Sequence, residues 1–96
     1  MAAYAFFDNV DVLDHAALQE YKERVRSVVE RFGGRYVVLG GDVERVEGDW
    51  QPVFPVMIEF PDLDTARRWY GSPEYAELKA LRHSAVRSRG VLIAGL

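Results

Sequence analysis

The sequence has no cysteine, so disulfide bonds, thiolate nucleophiles and cysteine-held metals are excluded at once. It has no apolar run near the ~18 residues that cross a bilayer. The opening MAAYAFFDNV lacks a basic region and meets acid by Asp8, so a cytoplasmic chain with no membrane partner is expected. Histidine is scarce: His15 and His83 fall on different helices without ligand spacing, and no metal site is expected. Positive charge is in deficit, 12 basic residues against 15 acidic for a net charge of -3, which offers nucleic acid no general attraction. Serine nucleophiles lack an elbow motif, and no cofactor fingerprint is present.

What is there is ordinary globular composition, 49% hydrophobic and 28% charged, in a length that makes one domain over residues 1–96. A chain of this size buries only about 60–68% of its unfolded surface, so its core is modest and a partner helps.

Residues 3 to 13, AYAFFDNVDVL, are aromatic and β-branched and read as a first strand. Beyond the N-cap Asp14, apolar residues recur at Leu18, Tyr21, Val25, Val28, Val29 and Phe32, one stripe of a helix that ends at Gly33. RYVVL starts a second strand, which Gly40-Gly41 interrupts before DVERVE resumes the alternation; GDWQP turns, and residues 54 to 60 return as a third strand. Pro61-Asp62 opens a second helix with Leu63, Ala66, Trp69 and Tyr70 on its inner face. Gly71-Ser72-Pro73 breaks and recaps it, and Tyr75, Leu78, Leu81 and Ala85 continue the stripe. GVLIAGL, residues 90 to 96, is the fourth strand.

The order β-α-β-β-α-β predicts an α+β, ferredoxin-like domain with two helices on one face of a four-stranded antiparallel sheet. Strands three and four, however, are apolar on both faces, Val56, Ile58 and Phe60 against Pro55 and Met57, and Val91 and Ile93 against Leu92 and Ala94. The face without helices therefore needs cover, and a homodimer is the expected partner. With the hairpin turn near Trp50-Gln51, strand three lies opposite residues 41 to 47, which leaves RYVVL without a local partner along one edge and predicts that it extends across the dimer.

The glycine pairs end a helix and kink a strand, the wrong context for a phosphate loop. Arg82, His83, Arg87 and Arg89 cluster near a helix C-terminus, where they complement the dipole on the surface; an anion-binding rim is the sharper alternative. Asn9 and Glu59 are polar residues in the two strands that should be central, and they pair with each other or with Arg35, or else line a small-molecule pocket. Trp50, alone in a turn, is placed to pack against the second subunit. Asn9, Arg35, Trp50 and Glu59 are thus the candidate ligand-binding residues.

The combination of F-G-G-R-Y, E-G-D-W-x-P, I-E-F-P and W-Y-x-S-P-E-Y, spread over nearly the whole chain, resembles the bacterial domain of unknown function 1330 family. The resemblance implies a dimeric α/β barrel built from two ferredoxin-like units. Leu39 and Phe54 stand where that family commonly has arginine. Two functions follow as expectations: a small-molecule binding or accessory module, or a cofactor-independent enzyme of the monooxygenase or isomerase type acting on a small organic substrate.

Overall fold

In the computed structural model, which describes residues 1–96, the chain runs β1 (Ala3–Val12), α1 (His15–Arg31), β2 (Arg35–Leu39), β3 (Pro55–Phe60), α2 (Leu63–Tyr70), α3 (Pro73–Ala85) and β4 (Val86–Ala94). Local chemistry sets the helix ends. Asp14 accepts a hydrogen bond from the Ala17 amide at 3.0 Å, Asp62 from Thr65 at 2.7 Å and Ser72 from Tyr75 at 3.1 Å, each meeting an amide that has no partner within its helix. Gly33, at φ 74°, carries the chain out of α1.

The sheet is antiparallel in the order β2-β3-β1-β4, with β1 and β3 central. The pairs Ala3–Phe60, Ala5–Ile58 and Phe7–Val56 turn one face toward the helices. There Ala5, Phe7, Val56, Ile58 and Phe60 join Val25, Val28 and Val29 of α1, Ala66 and Trp69 of α2, and Tyr75 and Leu78 of α3 in one core. Trp69 is wholly buried at its centre, its ring 5.2 Å from Phe60 and 4.4 Å from Tyr75 between centroids. The opposite face carries Tyr4, Phe6, Met57, Val91 and Ile93, and no helix covers it. No helix is long and apolar enough to cross a membrane.

The hairpin differs from expectation. Residues 42–47 form no strand; RYVVL itself pairs with β3, from Arg35–Glu59 to Leu39–Val56, with a bulge after Tyr36. Gly40 is the reason. It turns out of the sheet at φ 68°, its amide donates to the Pro55 carbonyl at 2.7 Å, and the Phe54 ring crowds the place where a Cβ would sit. The ladder thus closes at Gly40, and the chain beyond it loops. β2 keeps one free edge as the outer strand of the sheet, but it is no longer a segment without a local partner.

β4 also begins earlier than the sequence indicates, directly from α3 at Val86, because the ten-residue β1 offers partners as far as Val12–Val86. A register shift between Asn9 and Asp11 accommodates the extra length.

Candidate small-molecule site

The four candidate residues separate between the two sides of the sheet. Arg35 and Glu59 are cross-strand neighbours on the open face, Nε to Oε1 at 2.8 Å, and the Tyr4 hydroxyl donates to Glu59 Oε2 at 3.2 Å. The Arg35 hydrogen bond, with help from Tyr4 and against partial desolvation, holds the Glu59 carboxyl below the usual carboxylate range. This network is satisfied and stays on the surface. Trp50 packs edge-on against Phe6 on the same side, 6.3 Å between centroids.

Asp8 holds that loop in place. Only 2% exposed, its Oδ1 accepts from both the Val53 and Phe54 amides at 2.9 Å. Sequence reading passed over it, although a carboxylate buried in the middle of a strand is the kind of group that must find backbone donors.

Asn9 faces the other way. It neither pairs with Glu59 nor reaches Arg35, because alternate side chains of a strand point to opposite faces. Instead it lines a cavity of ≈ 410 Å³ between α1 and the sheet. Leu18, Val25, Leu39, Phe54, Val56 and Ile58 make its walls apolar. Leu39 and Phe54, where the resemblance leads arginine to be expected, are both in that wall. Asn9 Oδ1 is buried there and accepts no hydrogen bond from the protein.

Tyr21 and Tyr36 also line it. The Tyr21 hydroxyl lies 2.8 Å from that of Tyr75. Burial, then the Tyr75 charge, pushes the Tyr21 phenol far up, and burial pushes Tyr36 up to about 12. Burial raises Tyr75 as well. All three are neutral near pH 7, and Tyr21 and Tyr75 hydrogen-bond each other.

Arg82 is the largest departure from the sequence reading. Assigned there to the solvated surface, it is 4% exposed, donates from Nη2 to Ser88 Oγ at 2.7 Å, and stacks its guanidinium 4.3 Å over the Phe7 ring. The signal was present in the spacing: Tyr75, Leu78, Arg82 and Ala85 are the buried residues of α3, a three-and-four stripe that places Arg82 inward. Leu81 sits at its margin. Arg82 lines the α1 cavity and also a second, more open one of ≈ 540 Å³ beside β4, which His83, Arg87 and Ser88 border. Burial, then the charges of Arg82 and Lys79, holds the His83 imidazole below its ordinary value.

Comparison with known proteins fixes the fold. RPA0582, a protein of unknown function from Rhodopseudomonas palustris, superposes with a TM-score of 0.73 at 20% identity, over 99% of this chain and 82% of its own. SnoaB, a cofactor-independent oxygenase from Streptomyces nogalater, gives a TM-score of 0.61 at 15% identity, over 99% and 91%. A dimeric protein of unknown function and ferredoxin-like fold from Bacteroides fragilis gives 0.62 at 9%, over 98% and 96%. No functionally curated protein matches the chain. The family model described as Domain of unknown function (DUF1330) matches residues 2–96, and the chain belongs to that family.

Proposed function

We propose that this chain is a homodimeric small-molecule binding module whose ligand occupies the cavity between α1 and the sheet. The observation that carries the reading is Asn9 Oδ1, a buried acceptor with no partner in the wall of a largely apolar chamber. A buried polar atom left unpaired is costly, and a ligand that donates to it removes the cost. The chamber is within the usual volume range of small-molecule sites. Asn9 contacts the ligand in this reading, whereas Arg35, Trp50 and Glu59 frame the open face against which the second subunit packs.

A cofactor-independent enzyme is the second reading, and the fold shared with SnoaB supports it. It requires a ligand electron-rich enough to react with oxygen without a prosthetic group. Fold likeness alone assigns no chemistry.

Thermal-shift screening of a metabolite library, with oxygen uptake measured on each hit, separates the two. A binder raises the melting temperature of the wild type without oxygen uptake, and Asn9→Ala weakens it by about tenfold, the worth of one buried hydrogen bond. Leu18→Trp, which fills the chamber, abolishes the shift; hits that bind this variant unchanged would remove the cavity from consideration. Oxygen uptake that depends on Asn9 would establish the enzyme.

A further inference from the structure

Arg82 is a guanidinium almost sealed from water, and none of the chain's ion pairs includes it. Arginine does not discharge inside a protein, so burial cannot be relieved by losing the proton. An isolated buried ion costs several kcal/mol even after relaxation. The Ser88 hydroxyl and the Phe7 ring offset part of that cost. Neither neutralises the charge, nor does the neutral Tyr75 hydroxyl beside the guanidinium, and donors remain after Ser88 and Tyr75 are counted.

The rest of the lining agrees in sign. Every charged residue bordering the α1 cavity is a cation, Lys22, Arg26 and Arg82, in a chain whose acids outnumber its bases. Not one carboxylate lines the chamber. Low-dielectric walls lined by one sign of charge concentrate the opposite sign within.

Resting on the cavity reading above, we infer that the ligand is an organic acid, with a ring-sized apolar body between α1 and the sheet and its carboxylate on Arg82. Lys22 and Arg26 add long-range attraction from the helix. A guanidinium meets a carboxylate with two parallel N–H donors, which fixes orientation as well as charge. The second cavity shares Arg82, but its Ser88 side already uses one donor, and it is the more open to water.

The test uses 2-naphthoate and its uncharged isostere 2-naphthamide, titrated at low salt by calorimetry and by amide chemical-shift changes. In the wild type the acid binds about 10- to 100-fold more tightly than the amide, the range of a charge-assisted hydrogen bond. Arg82→Gln brings the two probes to equal affinity, Arg82→Lys keeps part of the preference, and Leu18→Trp blocks both. Equal affinities in the wild type, with Leu18→Trp still blocking, would overturn the inference and leave the cavity reading intact. Acid binding that survives Leu18→Trp would place the anion elsewhere and overturn it too. Failure of both probes on the wild type would count against both readings. The wild-type comparison stands even if an Arg82 variant does not fold.

Discussion

Asp8 and Asn9 are neighbours on β1, yet the alternation of a strand sends them to different sides of the sheet and gives them different work. Asp8 takes two backbone amides from the loop that covers the open face, and Asn9 offers an acceptor to the cavity. Asp8→Ala strands the Val53 and Phe54 amides in a half-buried place, which costs about 1–3 kcal/mol for each group left without a partner and without water. Urea unfolding should show a lowered midpoint at unchanged slope, and Asp8→Asn, whose carbonyl still accepts, should recover part of the loss. A midpoint equal to that of the wild type in Asp8→Ala would mean that water satisfies both amides and that the carboxylate does not hold the loop. Of these two residues only Asn9 stood out in the sequence, because the amides that Asp8 binds lie 45 and 46 positions further along the chain and leave no local signal.

At the scale of elements, the helix boundaries were readable because the signals are local. Asp14, Gly33, Asp62 and the Ser72-Pro73 pair act within one turn of where they stand. Ser72 is the strongest case: its hydroxyl accepts from the Tyr75 amide to start α3 and donates to the Trp69 carbonyl at 2.9 Å to finish α2. Ser72→Ala loses both bonds at a site 7% exposed and should cost about 1–2 kcal/mol, at the upper end for a helix cap. A calorimetric melting temperature unchanged by that substitution would show that Pro73 and the packing of Tyr75 hold the junction without it. The hairpin was not readable, because its register depends on Gly40 meeting the Phe54 ring, fourteen positions further along the chain as numbered. Two valines among charged residues, at 43 and 46, imitate a strand, but Val46 is 82% exposed in a loop. Arg82 was missed for a different reason: its charge overrode a periodicity that pointed inward.

For the molecule as a whole, the two-faced sheet stated in the sequence is the feature that places both surfaces. One face is the core. On the other, Val91 and Ile93 are 53% and 46% exposed and lie opposite Phe6 and Tyr4, with Met57 beside them. Contiguous apolar surface of this kind is rare on a free monomer, and the Bacteroides fragilis neighbour that shares the fold is a dimer. The pairing of two such faces closes the barrel, so the wild type should sediment at twice the chain mass at micromolar concentration. Val91→Lys combined with Ile93→Lys puts two cations into each half of that contact and should yield a folded monomer with an unchanged far-ultraviolet circular dichroism spectrum. A wild type that sediments as a single chain would defeat the dimer. The cavity, by contrast, is lined by residues of one chain on the helix side. Dimer and ligand site are therefore separable, and the monomeric variant should still bind 2-naphthoate within a few-fold of the wild type; loss of binding on dissociation would show that the second subunit shapes the chamber through the strands the two sites share.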